Sequence, residues 1–314
     1  MTFAFAMLFL LALYSAPAKA FCGVAGNAFE TPHAIVFHHP GNEAFAETVG
    51  NALEFAHGSV AEDLGYPANK ITAYIYDSGE EMVDGLMTVL GYDRREAELI
   101  AKVGMSAVTK NTFHLHPKAK TWPAKIFWHS VVHEYTHGLT EDRYGAEPAL
   151  SARWLYEGLG EYEGHRSVEA KYPNFEERWS RSRYKLVFKA LVFGDLFRLA
   201  NLSGIDQWYA NIARSWRTWN LQYAQAYVAV RYIVDEYGIE RLKAVLAEIS
   251  AGLPIEAAIE KVLGVSLSWL ELSLVAYLLV KGTTELYVSY AVALFTIFAS
   301  LVVAVPVFIL YRKR

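Results

Sequence analysis

Val131-Val132-His133-Glu134-Tyr135-Thr136-His137 is the stretch that decides how this chain is read. It carries a His-Glu-x-x-His pattern inside an apolar run, Ile126 to Leu139, that has no Pro or Gly until Gly138. Such a run predicts a helix closed by Gly138. Residues four apart on a helix share a face, about 6 Å apart along the axis. His133 and His137 can therefore aim imidazole nitrogens at one point, and zinc accepts such nitrogens at about 2.0–2.1 Å. Glu134 is turned about 100° from His133. That offset sets it beside the metal rather than on it, where it can take a proton from a water activated there.

Zinc that does chemistry needs three protein ligands and an open position. Glu157 supplies a third candidate, in Trp154-Leu155-Tyr156-Glu157-Gly158-Leu159-Gly160-Glu161-Tyr162. Glu161 lies one helical turn further on. It cannot easily share the metal, but it can accept the far N–H of a ligand histidine and so fix its tautomer. Trp154, Leu155, Leu159 and Tyr162 predict that this second helix is largely buried, and buried carboxylates need partners.

These two motifs together resemble the gluzincin metallopeptidases, the clan that includes thermolysin and the zinc aminopeptidases. The match is to the peptidase MA-like group, whose second motif resembles WLxEGxAEY; Gly160 stands here where Ala is usual. The resemblance implies zinc held by His133, His137 and Glu157, with Glu134 as the general base and Glu161 in the outer shell. It also implies a catalytic tyrosine on a later helix. Tyr223-Ala224-Gln225-Ala226-Tyr227, running on to Gly238, resembles that helix. Tyr223 is the candidate, and Tyr227 lies one turn beyond it.

The two ends of the chain predict a membrane topology. Residues 1–20 form a short apolar block ending in Ala18-Lys19-Ala20, which reads as a signal peptide cut after Ala20, the alternative being an uncleaved anchor. Residues 286–311 carry no charge and are followed by Arg312-Lys313-Arg314. A span of that length crosses a bilayer core of about 30 Å, and the basic tail at 312–314 stays in the cytoplasm. Residues 21–285 then form an exterior domain, periplasmic or extracellular. Without Lys19 and the three terminal basic residues, 25 Lys and Arg face 33 Asp and Glu, a net charge of −8. An acidic exterior gives no support to nucleic-acid binding. The sole cysteine, Cys22, allows neither an internal disulfide nor a cysteine zinc site.

Within the exterior domain the periodicity changes along the chain. Residues 33–39 and 70–76 read as strands, and a long helix between them starts at Glu43. Helices near 79–90 and 93–102 follow, then one or two strands between Val103 and Leu115. The resemblance implies that an edge strand near Ser106–Thr109 pairs with the substrate backbone. The zinc aminopeptidases carry in this strand a glutamate that captures the substrate's free amine; residues 105–110 contain none. After Gly164 the chain reads as helical at about 173–200, 206–217, 221–237, 239–250, 254–262 and 266–280. Glu176 to Arg198 mixes basic and apolar residues, which suits a core-facing amphipathic helix or one lying on a membrane surface.

The remaining histidines read as packing. His129 is too far from His137 to share its metal and reads as a wall of the cleft. His38, His39, His114, His116 and His165 could each contribute to a second metal, but none stands at a ligand spacing with a clear partner, so core or surface roles are favoured.

The expected fold is α+β. A small mixed sheet (about 33–120) lies over the zinc helices (about 122–168), a helical lobe follows (about 173–280), and a C-terminal membrane helix ends the chain. The expected function is zinc-dependent peptide-bond hydrolysis outside the cytoplasm, with a peptide or protein as substrate. Two other readings share the same residues. One is a membrane-anchored peptide-binding protein without turnover. The other is a zinc hydrolase of a non-peptide amide or ester.

Overall fold

The computed structural model describes residues 27–65, 69–103, 105–106, 111–169, 171–173 and 175–281. The leader expected at 1–20, Cys22, the span expected at 286–311 and its basic tail lie outside the described residues. Five strands form one mixed sheet: β1 (Asn27–Glu30), β2 (Ala34–His38), β3 (Ile71–Ile75), β4 (Met105–Ser106) and β5 (Thr112–Leu115). Their order is β1-β2-β3-β5-β4. The three central strands run parallel, and the short edge strands β1 and β4 pair antiparallel.

Period-two alternation divides the sheet's side chains between two cores. Ala34, Val36, Ile71, Ala73, Ile75, Phe113 and Leu115 join the main core, which includes the inner face of α1 (Glu43–Leu64). Phe37 and Tyr74 point the other way, onto α2 (Gly79–Leu90) and α3 (Arg94–Val103), with Met82, Leu86 and Ala97. α1 also packs against α4 (Ala124–Tyr144), so it links the sheet to the helix that carries His133 and His137. After α5 (Glu147–Ser151) come α6 (Arg153–Glu169), α7 (Phe175–Phe193), α8 (Ile205–Arg214) and α9 (Trp216–Tyr237). α6 lies between α4 and α9, and this three-helix layer holds the candidate site. Helices α10 (Ile239–Ser250), α11 (Ile255–Leu263) and α12 (Leu267–Lys281) complete the described part.

The mixed sheet followed by helices agrees with the expected class, but several boundaries differ. Gly138 does not close α4. The helix runs on to Tyr144 and ends at Gly145, which has φ 73° and donates its N–H to the Glu141 carbonyl. A glycine inside a helix costs about 1 kcal/mol. Burial of Leu139 and Tyr144 beyond it contributes about 1.5–3 kcal/mol for each side chain. Packing therefore outweighs propensity. The helix expected to reach residue 200 stops at Phe193, where Gly194 takes φ 73°. A separate 3₁₀ turn spans Leu199–Leu202. Strand β1 was not expected, since Asn27–Glu30 has no alternating apolar pattern and is mostly exposed. Among the described residues no single helix is long and apolar enough to cross a membrane. α11 and α12 pass such a test only as a pair, bent by 71°.

Candidate metal centre

α4 and α6 supply every residue of the expected metal set. His133 and His137 are successive turns of α4, and Glu157 lies on the face of α6 that meets them. His133 Nε2 and His137 Nε2 are 3.0 Å apart. Glu157 Oε2 lies 3.2 Å from the first and 3.3 Å from the second. All three side chains are buried. Three atoms bearing lone pairs thus converge with little but a cation to reconcile them. Donors about 2.0–2.1 Å from a tetrahedral ion stand about 3.3–3.4 Å from one another, close to these separations. The residues fit a zinc-sized cation on that ground.

The second oxygen of Glu157 is occupied. Arg153, one turn earlier on α6, donates Nη2 to Glu157 Oε1 at 2.5 Å. Its guanidinium also lies over the rings of Tyr156 and Tyr209. Burial works to raise the Glu157 carboxyl, but Arg153 and the two histidines overcome it and hold the group well below the usual range. The carboxylate is therefore anionic.

The two histidines are not equivalent. His133 turns Nδ1 towards Glu161 Oε1 at 3.4 Å, so its two nitrogens face two carboxylates. Burial opposes its protonation, yet Glu157 and Glu161 raise it to about 10. His137 stacks on Tyr156 with ring centroids 4.0 Å apart. Burial pushes it down to about 4.

Close approach of α6 to α4 depends on small residues. A Cβ at Gly160 would stand 3.0 Å from the His133 ring. Gly158 faces the other neighbour, where a Cβ would run into the Ala226 carbonyl of α9 and sit 2.6 Å from Val230.

Glu134 lies beside the set and contacts none of its members by hydrogen bond. Its Oε2 is buried without a hydrogen-bond partner. Burial, with Glu157 adding to it, pushes this carboxyl up to about 7 against the pull of His133. A group of that kind can exchange a proton near neutral pH. Tyr223 of α9 packs towards His133, with ring centroids 6.2 Å apart. Burial keeps it a neutral phenol, able to donate. Tyr227 is elsewhere: it lies edge-on to His165 at 4.8 Å and near Tyr184.

Three contributors escaped the sequence reading. Arg153 sits four residues before Glu157, a helical ion-pair spacing that could have drawn attention to it. Arg183 of α7 donates Nη2 to Glu161 Oε2 at 2.6 Å, a tertiary contact without a local signal. The third is the pair His129 and His165, read as packing but brought together on Glu161. α7 is thereby a core-facing helix, packed on α6 and α9. The edge-strand position of β4 includes Ser106, whereas residues 107–110 lie outside the described residues.

The Peptidase MA superfamily model matches residues 57–280, which is more than half of the chain and contains every residue of this site. The chain belongs to the Peptidase MA superfamily. Membership agrees with the gluzincin resemblance and points to a protease of a group that is typically metal-dependent. No curated protein and no solved structure matches the chain significantly.

Proposed function

We propose that this member of the superfamily is a zinc metallopeptidase, anchored by its C-terminal segment and hydrolysing peptide bonds outside the cytoplasm. The observation that carries the reading is the convergence of His133 Nε2, His137 Nε2 and Glu157 Oε2 at 3.0–3.3 Å, with Glu134 alongside. When bound, zinc supplies Lewis acidity, bringing the pKa of a water towards about 7 and polarising the scissile carbonyl. Glu134 accepts a proton from the attacking water on its carboxylate and passes it to the leaving amine nitrogen. Tyr223 donates its phenolic O–H to the developing oxyanion. Glu161 holds His133 through Nδ1, and Arg153 keeps Glu157 ionised by meeting its outer oxygen. β4 is an edge strand of the sheet, along which an extended peptide can pair.

The test is metal content and peptide turnover in single variants of the purified protein. His133→Ala, His137→Ala and Glu157→Ala should each lose the zinc of this site and all turnover. A Glu157→Ala protein that keeps this zinc would show that the third ligand lies elsewhere.

A further inference from the structure

The residues of α4 and α6 that face each other repeat at four-residue steps. His129, His133 and His137 line one helix, and Glu157, Glu161 and His165 line the other. His129 and His165, at the ends of these faces, are not used by the site described above. There, ligand atoms of His129, Glu161 and His165 all lie within 4.8 Å of one another, and the three side chains are buried. We propose that these three residues hold a second divalent cation, a zinc-type ion one helical turn from the first.

Distances within this chain separate hydrogen-bonded His–Glu pairs from this arrangement. His33 closes on Glu54 to 2.7 Å and His39 on Glu81 to 2.5 Å, as charge-assisted hydrogen bonds do. His165 Nε2 stays 3.4 Å from Glu161 Oε2 although both are buried and on one helix. That is long for a hydrogen bond. It matches the edge of about 3.3–3.4 Å between two ligands of a tetrahedral ion. The His133–Glu157 and His137–Glu157 pairs show the same widening, at 3.2 and 3.3 Å. His133 Nδ1 and Glu161 Oε1, 3.4 Å apart, join the two sets.

The other parts of the first set recur as well. Each carboxylate also meets an arginine: Arg153 on the oxygen of Glu157 that points away from the histidines, Arg183 on Glu161 Oε2, the oxygen that also faces His165. An ionised carboxylate has about four acceptor positions, so an arginine on one leaves others for a metal. Gly164 makes room for the His129 ring, which a Cβ there would approach to 2.8 Å. The His129 and His165 rings lie 4.4 Å apart. Two imidazoles and one carboxylate favour a zinc-type ion over calcium or magnesium, which prefer oxygen. Tyr227 lies edge-on against His165, and the three side chains are buried. Such an ion would tie α4 to α6 directly behind His133.

Metal analysis of the purified full chain, loaded with zinc and dialysed, tests this. Wild type should retain two zinc ions per chain. His165→Ala and His133→Ala should each retain one, and the double variant none. One ion in wild type, kept by His165→Ala and lost by His133→Ala, overturns the second site and leaves the proposed function standing. One ion lost by His165→Ala but kept by His133→Ala supports this site and removes the other. No retained zinc overturns both. Should His165→Ala fail to fold, cobalt titration of the metal-free wild type decides. Tetrahedral cobalt absorption that grows up to a second equivalent supports the site; saturation at the first overturns it.

Discussion

Glu157 shows how closely the centre is determined at the scale of single residues. Its Oε2 faces two imidazoles and its Oε1 faces a guanidinium, and the side chain is buried. Removing Arg153 would leave a buried anion with less compensation, and this explains why an arginine is buried beside a metal set at all. Tyr223 and Tyr227 make the sharpest residue-scale contrast, because they are one turn apart yet meet different histidines. Tyr223→Phe should keep its zinc and lose about 10²–10³ in turnover, the usual loss for one oxyanion donor. Tyr227→Phe should leave turnover near wild type. Peptide hydrolysis by the two variants, measured with metal content, checks this; the reverse order would move the donor's role to Tyr227. The shared face of His133 and His137 was legible in the sequence because helical periodicity puts residues four apart on one face, while Glu157, on a second helix, came from its own motif and the resemblance. Arg183 was not, because its contact with Glu161 depends on how α7 docks on α6.

Among the elements, α6 is the most constrained, since it is gripped by α4 on one side and α9 on the other. Gly158 marks the tighter contact. Its missing side chain lets the Ala226 carbonyl approach, and backbone cannot move aside as a flexible side chain would. Gly158→Ala should therefore cost about 1–3 kcal/mol, as overpacking of a core does. Denaturant unfolding of the variant measures it, and an unchanged midpoint would show that α6 and α9 can separate freely. Strands β2, β3 and β5 were readable because their apolar residues sort by alternation. β1 was not, because its four mostly exposed residues gain order from pairing with β2 and from Phe29 packing over Gly50. Gly138 misled for a related reason: a local breaker was read without the burial that carries α4 past it.

For the molecule as a whole, the described fold delivers the centre between a sheet-bearing part and a helical part. The proposed topology concerns the segments at either end. If the chain is anchored with its N-terminus outside, protease added to intact cells should digest residues 21–285 and spare the basic tail. Full protection of 21–285 would contradict an exterior domain. The central claim, that this centre hydrolyses peptides through Glu134, is most directly tested by comparing wild type with Glu134→Gln. Glutamine keeps the shape of the side chain but cannot accept the proton. The account predicts equal zinc content, an unchanged fold and nearly complete loss of peptide turnover in Glu134→Gln. Undiminished hydrolysis by that variant would contradict it, whatever metal it holds.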